Sequence, residues 1–106
     1  MKSIKSNNEH KKIFKRGKRY ASAVGQIFVL PAEEYEVGIV VSRKIGNAVK
    51  RNRAKRRIKE AMRKQNIQAQ IIIKVNEAVD NLSFKDIIGG IENSIERIKI
   101  GQINNH

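Results

Sequence analysis

Residues 37–60 read Val37-Gly38-Ile39-Val40-Val41-Ser42-Arg43-Lys44-Ile45-Gly46-Asn47-Ala48-Val49-Lys50-Arg51-Asn52-Arg53-Ala54-Lys55-Arg56-Arg57-Ile58-Lys59-Glu60. One periodicity gives way to another along this stretch. Val37 to Ser42 is β-branched and almost continuously apolar, the pattern of a strand buried on both faces. Arg43 to Asn47 is a polar loop containing one glycine. Asn47 has an N-cap side chain, whose oxygen can take a backbone N–H of the first helical turn. From Ala48 to about Gln65 there is no Gly or Pro, and most residues are good helix formers. Ala54, Ile58, Ala61 and Met62 recur at helical spacing and form one apolar stripe. Asn52, Arg53, Arg56, Glu60, Arg63 and Lys64 lie opposite it, with Arg51 and Lys55 on its flanks. The stretch predicts strand, loop and helix, with the helix docked on a sheet and a guanidinium-rich face turned outward.

Working outward, Val24 to Pro31 reads as a strand that Pro31 terminates. It is expected to pair as a hairpin with the Val37–Ser42 strand across the acidic turn Ala32–Glu36. Ala69 to Val75 is a third β-branched strand. Upstream, residues 1–19 read as a basic arm leading into a short helix. Ile13 and Phe14 anchor that helix and Gly17 can stop it. Downstream, Ser83 can cap a last helix carrying Phe84, Ile87, Ile88, Ile91, Ile95 and Ile98 at amphipathic spacing. Gly89-Gly90 in its middle implies a bend or close packing. The expected order is α-β-β-α-β-α. This is an α+β fold in a single domain over 1–106, a small mixed sheet with helices packed on it. Residues 1–9 and 101–106 are expected to be a flexible arm and tail.

Charge is the strongest compositional signal. The chain carries 23 Lys plus Arg against 10 Asp plus Glu, a formal net charge of +13. Residues 1–64 hold 19 of the basic and 5 of the acidic side chains, whereas residues 65–106 hold 4 and 5. The excess sits in Lys2–Arg19 and Arg43–Lys64, where dense like charge opposes a compact state unless a polyanion neutralises it. Nucleic acid is the ordinary partner for such a footprint. The chain has no cysteine, which leaves no thiolate ligand or thiol nucleophile and fits the cytoplasm. No apolar run reaches the roughly 20 residues that span a bilayer. The histidines, His10 and His106, fall in the arm and the tail. Glu33, Glu34 and Glu36 cluster in a turn without a partner that would complete a metal box. Neither a catalytic nor a metal site is expected in this chain, and no small-molecule ligand.

The stretch quoted above resembles the signature of the bacterial ribonuclease P protein family. The likeness covers the basic pair Arg43-Lys44, the loop Gly46-Asn47-Ala48-Val49, the triplet Arg51-Asn52-Arg53, and Lys55-Arg56 one residue later. Phe14-Lys15-Arg16-Gly17 at the end of an upstream helix, and a strand with Phe28, extend it to about residues 10–100. The resemblance implies a subunit of ribonuclease P, the endoribonuclease that removes the 5′ leader of precursor tRNA. It implies that an RNA subunit with magnesium performs the cleavage, and that this chain binds no cofactor. It implies that the catalytic RNA contacts Arg43, Lys44, Gly46, Asn47, Lys50, Arg51, Asn52, Arg53, Lys55, Arg56 and Arg57. It implies that the leader of precursor tRNA passes Phe14, Lys15, Arg16 and Phe28. A left-handed crossover between the parallel strands is implied as well, against the usual right-handed rule. Two positions depart from the family's pattern. His10 stands where a second aromatic is frequent, and Arg43 stands where Lys is common. A ribosomal or other structural RNA-binding protein is the alternative that composition alone allows.

Overall fold

Alternation along the strands sorts the apolar side chains into two clusters, one on each face of the sheet. The computed structural model describes residues 1–104. The strands are β1 (Lys2–Ser3), β2 (Lys18–Ser22), β3 (Gly25–Pro31), β4 (Glu36–Val41) and β5 (Ala69–Val75). The helices are α1 (Asn7–Arg16), α2 (Ala48–Arg63) and α3 (Phe84–Asn104), with a 3-10 turn at Glu77–Asn81. The strand order is β1-β4-β5-β3-β2. β1, β4 and β5 run parallel, and β3 and β2 complete the sheet in antiparallel fashion. The sheet is therefore mixed, as expected.

Ile27, Val29, Val37, Ile71, Ile73 and Val75 point into the main core, under the stripe Ala54, Ile58, Ala61, Met62 of α2 and under Ile87, Ile91, Ile95 and Ile98 of α3. Ile72 points the other way, where it meets Ile13 of α1 and Ile4, with Phe28, Leu30 and Val40 around them. Three layers result: α1, the sheet, then α2 with α3. β5 is the common wall, and its Ile71, Ile72 and Ile73 are all fully buried.

Several expectations are corrected. The hairpin is β2–β3, not β3–β4, because β5 lies between β3 and β4. β2 was not expected as a strand: Lys18-Arg19-Tyr20-Ala21-Ser22 has no apolar run, and it stands at an edge where one partner suffices. The start of the chain is an edge strand rather than a free arm. The Lys2 and Ile4 amides donate to the Tyr35 and Val37 carbonyls, Ile4 is buried, and the Lys2 amine pairs with Glu34 at 2.9 Å. β4 is also less enclosed than its composition implies, being half-buried from Ile39 onward. β1 pairs only with Glu36 and Val37, which leaves the following edge open on that side. Of the expected flexible tail, Gly101 to Asn104 continue α3, while Asn105 and His106 lie outside the described residues.

Local signals place the other ends. Ser83 Oγ accepts from the Asp86 amide at 3.1 Å, and Gly17 closes α1 by donating its amide to the Ile13 carbonyl at 2.8 Å. Gly25 has φ +146°, and a Cβ there would strike the Lys74 carbonyl. Gly90 answers to close packing, since a Cβ there would sit 2.8 Å from that of Ala23.

Tyr35, in the acidic turn, donates its hydroxyl to the Met62 carbonyl at 2.6 Å and so ties β4 to the end of α2. Burial pushes its phenol from 10.0 up to about 12. Its folded pKa lies above its unfolded one, so its contribution is complete below pH 10 and is lost as pH rises towards 12. Tyr35→Phe is expected to cost about 1 kcal/mol near neutrality. The gap between variant and wild type should close between pH 10 and 12 in urea melts. A gap that stays constant over that range would remove this hydrogen bond from the account.

Candidate nucleic-acid interface

A buried isoleucine sets the geometry of the basic loop. Ile45 is fully buried and plugs the loop into the main core, while Arg43, Lys44, Gly46 and Asn47 around it stay exposed. The Ile45 amide donates to the Ser42 carbonyl, and the Lys44 amide to Ser42 Oγ at 3.2 Å. Gly46 has φ +33°, a left-handed turn that suits glycine. Asn47 Oδ1 caps α2 by accepting from the Lys50 amide at 3.1 Å. Arg51 is half-buried and reaches back, donating Nη1 to the Gly46 carbonyl at 3.0 Å. Asn47 and Arg51 thus fix the loop against the helix, and each keeps further donors free for a ligand.

The rest of the helix displays cations. Lys50, Asn52, Arg53, Lys55 and Arg56 are exposed, while Arg57 is half-buried with its guanidinium 5.5 Å from the centre of the Phe84 ring. Among the described residues the ion pairs are Lys2–Glu34 and Arg63–Glu60, so no cation from Arg43 to Lys59 meets a carboxylate. A shallow groove lined by Asn52, Lys55, Arg56, Lys59, Glu60 and Arg63 runs along the outward face. Unpaired guanidinium forks on one rigid helix suit phosphate oxygens, which they can grip two at a time.

The other basic region lies across the sheet. Phe14 is 37% exposed at the end of α1, and its ring meets that of Phe28 edge to face at 4.8 Å. His10 adds a third ring, 6.4 Å from Phe14, and its Nε2 lies 3.0 Å from the Ile4 carbonyl. Lys15 and Arg16 are exposed in the last turn of α1. The structure brings in residues that the sequence reading missed. Arg19 stands directly opposite Phe28 on β2, so its side chain shares that face of the sheet. Gln26 and Lys74, a paired and exposed couple one step along, share it too. Pairing Lys18–Ser22 with β3 would have revealed Arg19, alternation along β3 gives Gln26, and the β3–β5 register gives Lys74. The Phe14–Phe28 ring pair therefore lies where α1 meets the sheet, with exposed cations of α1, β2 and β5 on the same face. Such a surface takes single-stranded nucleic acid, with bases stacking on rings and phosphates meeting ammonium and guanidinium groups.

The two regions are joined around the open edge of β4. A cavity of about 400 Å³ there is lined by Lys5 and His10 from the first region and by Lys55 and Lys59 from α2. Lys59 is half-buried and belongs to this connection. Among the described residues no three His, Cys, Asp or Glu side chains come together, and no helix is long and apolar enough to cross a membrane.

Comparison with known proteins gives a consistent result. The profile of the family described as Ribonuclease P matches residues 1–99. A Clostridioides difficile ribonuclease P protein component is 35% identical over 107 residues, covering 93% of this chain and 93% of the relative. The Listeria innocua counterpart is 33% identical over 107 residues, covering 94% of this chain and 87% of the relative. The Staphylococcus aureus RNase P protein superposes with a TM-score of 0.86 at 26% identity, covering 93% of this chain and 96% of that one.

Proposed function

Because the chain belongs to the bacterial ribonuclease P protein family, we propose that it assists 5′ maturation of precursor tRNA by binding two RNAs on two surfaces. A subunit of a tRNA-processing ribonuclease works beside an RNA partner. Arg43, Lys44, Gly46, Asn47, Lys50, Arg51, Asn52, Arg53, Lys55, Arg56 and Arg57 hold the catalytic RNA subunit. Phe14, Lys15, Arg16 and Phe28, with Arg19, hold the single-stranded leader. The observation that carries this reading is the pairing of an unneutralised arginine face on α2 with the Phe14–Phe28 ring pair on the opposite side of the sheet. A folded RNA is recognised by its backbone and shape, which suits the helix. A single strand offers bare bases, which suits the rings.

In this reading catalysis belongs to the RNA subunit with its magnesium, as membership of the family implies, and this chain binds and positions RNA. The chain's contribution is electrostatic. Two polyanions must approach each other, and a protein of net charge +13 between them screens their repulsion. The site of action is the cytoplasm, where precursor tRNA is made.

The test is reconstitution with a bacterial ribonuclease P RNA at low magnesium. The chain should stimulate removal of the leader, and no stimulation across a magnesium titration would overturn the proposal. Phe14→Ala should weaken binding of precursor tRNA by about tenfold, as expected for one lost base stack. Mature tRNA, which has no leader, should bind as before. Equal losses for both substrates would move Phe14 out of the leader path.

A further inference from the structure

The chain has three Phe and no Trp. No phenylalanine enters the main core, which is built almost wholly from aliphatic side chains. Phe14 and Phe28 meet edge to face where α1 packs on the sheet. Phe84 is on the other side of the sheet, at the start of α3, and remains 45% exposed. Isolated exposed apolar residues are common and need no explanation. Phe84 differs in its surroundings. The Arg57 guanidinium lies over its ring at 5.5 Å. Beside Arg57 a cavity of about 150 Å³ opens between α2 and the turn before α3, lined by Lys50, Arg53, Arg57, Asp80, Leu82 and Ile87. Lys50 and Arg53 are exposed and meet no carboxylate among the described residues. Asp80 is the one acid in the lining.

We propose that Phe84 and Arg57 form a second stacking platform, which takes an unpaired nucleobase of the RNA held by α2. This rests on the reading of α2 as an RNA-binding helix. An aryl ring with a guanidinium plane over it offers a base a flat, polarised surface, and Arg planes and aromatic rings are the two side-chain types on which splayed-out bases stack. Lys50 and Arg53 are placed to hold the phosphates flanking that base. Asp80 repels phosphate from its end of the cavity and offers an acceptor to an exocyclic amino group or a 2′-hydroxyl. The occupant is therefore an unstacked nucleotide, in a bulge or a loop, rather than a regular duplex whose bases are enclosed. Arg57 over the ring, with Lys50 and Arg53 in the adjoining cavity, suits a polyanion better than an uncharged partner, which would desolvate these cations without a counter-charge.

The absence of Trp makes Phe84→Trp a single fluorescent reporter. Transcribed bacterial ribonuclease P RNA is the probe, titrated at near-physiological salt. The Phe84→Trp protein should bind with wild-type affinity, and its emission should be quenched and shielded from acrylamide as RNA saturates. Phe84→Ala should lose about tenfold in affinity, yet keep the wild-type slope of log K against log salt, because no charge is removed. Phe84→Leu, which keeps apolar bulk, should lose nearly as much, and thermal melts of both variants identify any folding defect. Arg53→Gln should instead flatten the salt slope by about one. Wild-type affinity in Phe84→Ala, or tryptophan emission indifferent to saturating RNA, would overturn the platform while leaving α2 as the RNA-binding helix. Emission that changes with protein concentration alone would overturn it in favour of a protein contact. Failure of the wild-type chain to bind the RNA would overturn both.

Discussion

Replacing Arg53 and Arg56 together by Glu is expected to abolish assembly with the RNA subunit, with affinity falling by at least about a hundredfold at near-physiological salt. Both side chains are exposed, neither is in an ion pair, and neither contributes to the apolar stripe of α2. Each substitution removes a phosphate partner and sets an anion in its place. The change therefore counts twice in the electrostatic sum, and the loss should be largest at low salt. The fold should survive. Glu is as good a helix former as Arg, and a Glu at position 53 gains attraction to Lys50 and Arg57, which offsets the repulsion of a Glu at position 56 with Glu60. Filter binding and a thermal melt together test this. A variant with wild-type affinity would mean that another face of the protein meets RNA. A variant that is unfolded would mean that these guanidinium groups have a structural part which their exposure does not suggest.

Ile13→Ala should have the largest effect on stability, at about 2–5 kcal/mol, the range for truncating a buried aliphatic side chain. Small domains are stable by only about 5–15 kcal/mol in total, so this is a substantial share. Ile13 is the buried residue of α1, and it fills the centre of the small cluster with Ile4 and Ile72. Without it α1 has little to hold it to the sheet, and the Phe14–Phe28 contact goes with it. The melting temperature should fall by about 8–40 °C, given the usual 4–8 °C per kcal/mol for a domain of this size. Below that temperature, affinity for the RNA subunit should be retained while discrimination between precursor and mature tRNA disappears. Two surfaces that fail together at low temperature would contradict their separate seating on the two faces of the sheet.

The parts legible in the sequence were those with a periodicity or a cap. α2 was readable from Asn47 to its apolar stripe, and all four stripe residues are buried. β5 was placed to the residue, because seven mostly β-branched positions in a central strand leave little ambiguity. The missed strands share one cause. β1 and β2 are edge strands, and their own residues are mostly charged or small, so neither carries a hydrophobic pattern. The turn between β2 and β3 is Ala23-Val24, without the Asn-Gly or Asp-Gly signature that marks a tight hairpin, so the pairing was given to β3 and β4 instead. Arg19 and Lys74 were invisible as site residues because only the cross-strand register sets them on the face of Phe28. Ile45 was read as part of a polar loop, and the burial that anchors the loop comes from tertiary packing.

The central position of β5 has a bearing on biosynthesis. It is the last strand to be made, yet it separates β4 from β3 and contributes to both cores. While the nascent chain is shorter than about 75 residues, the β2–β3 hairpin and the β4 strand have no common neighbour, and their inner edges are bare. Bare strand edges invite pairing with other chains. The cationic excess of the first 64 residues is already present at that stage, and mutual repulsion between nascent chains opposes such pairing until Ala69–Val75 emerges and closes the sheet.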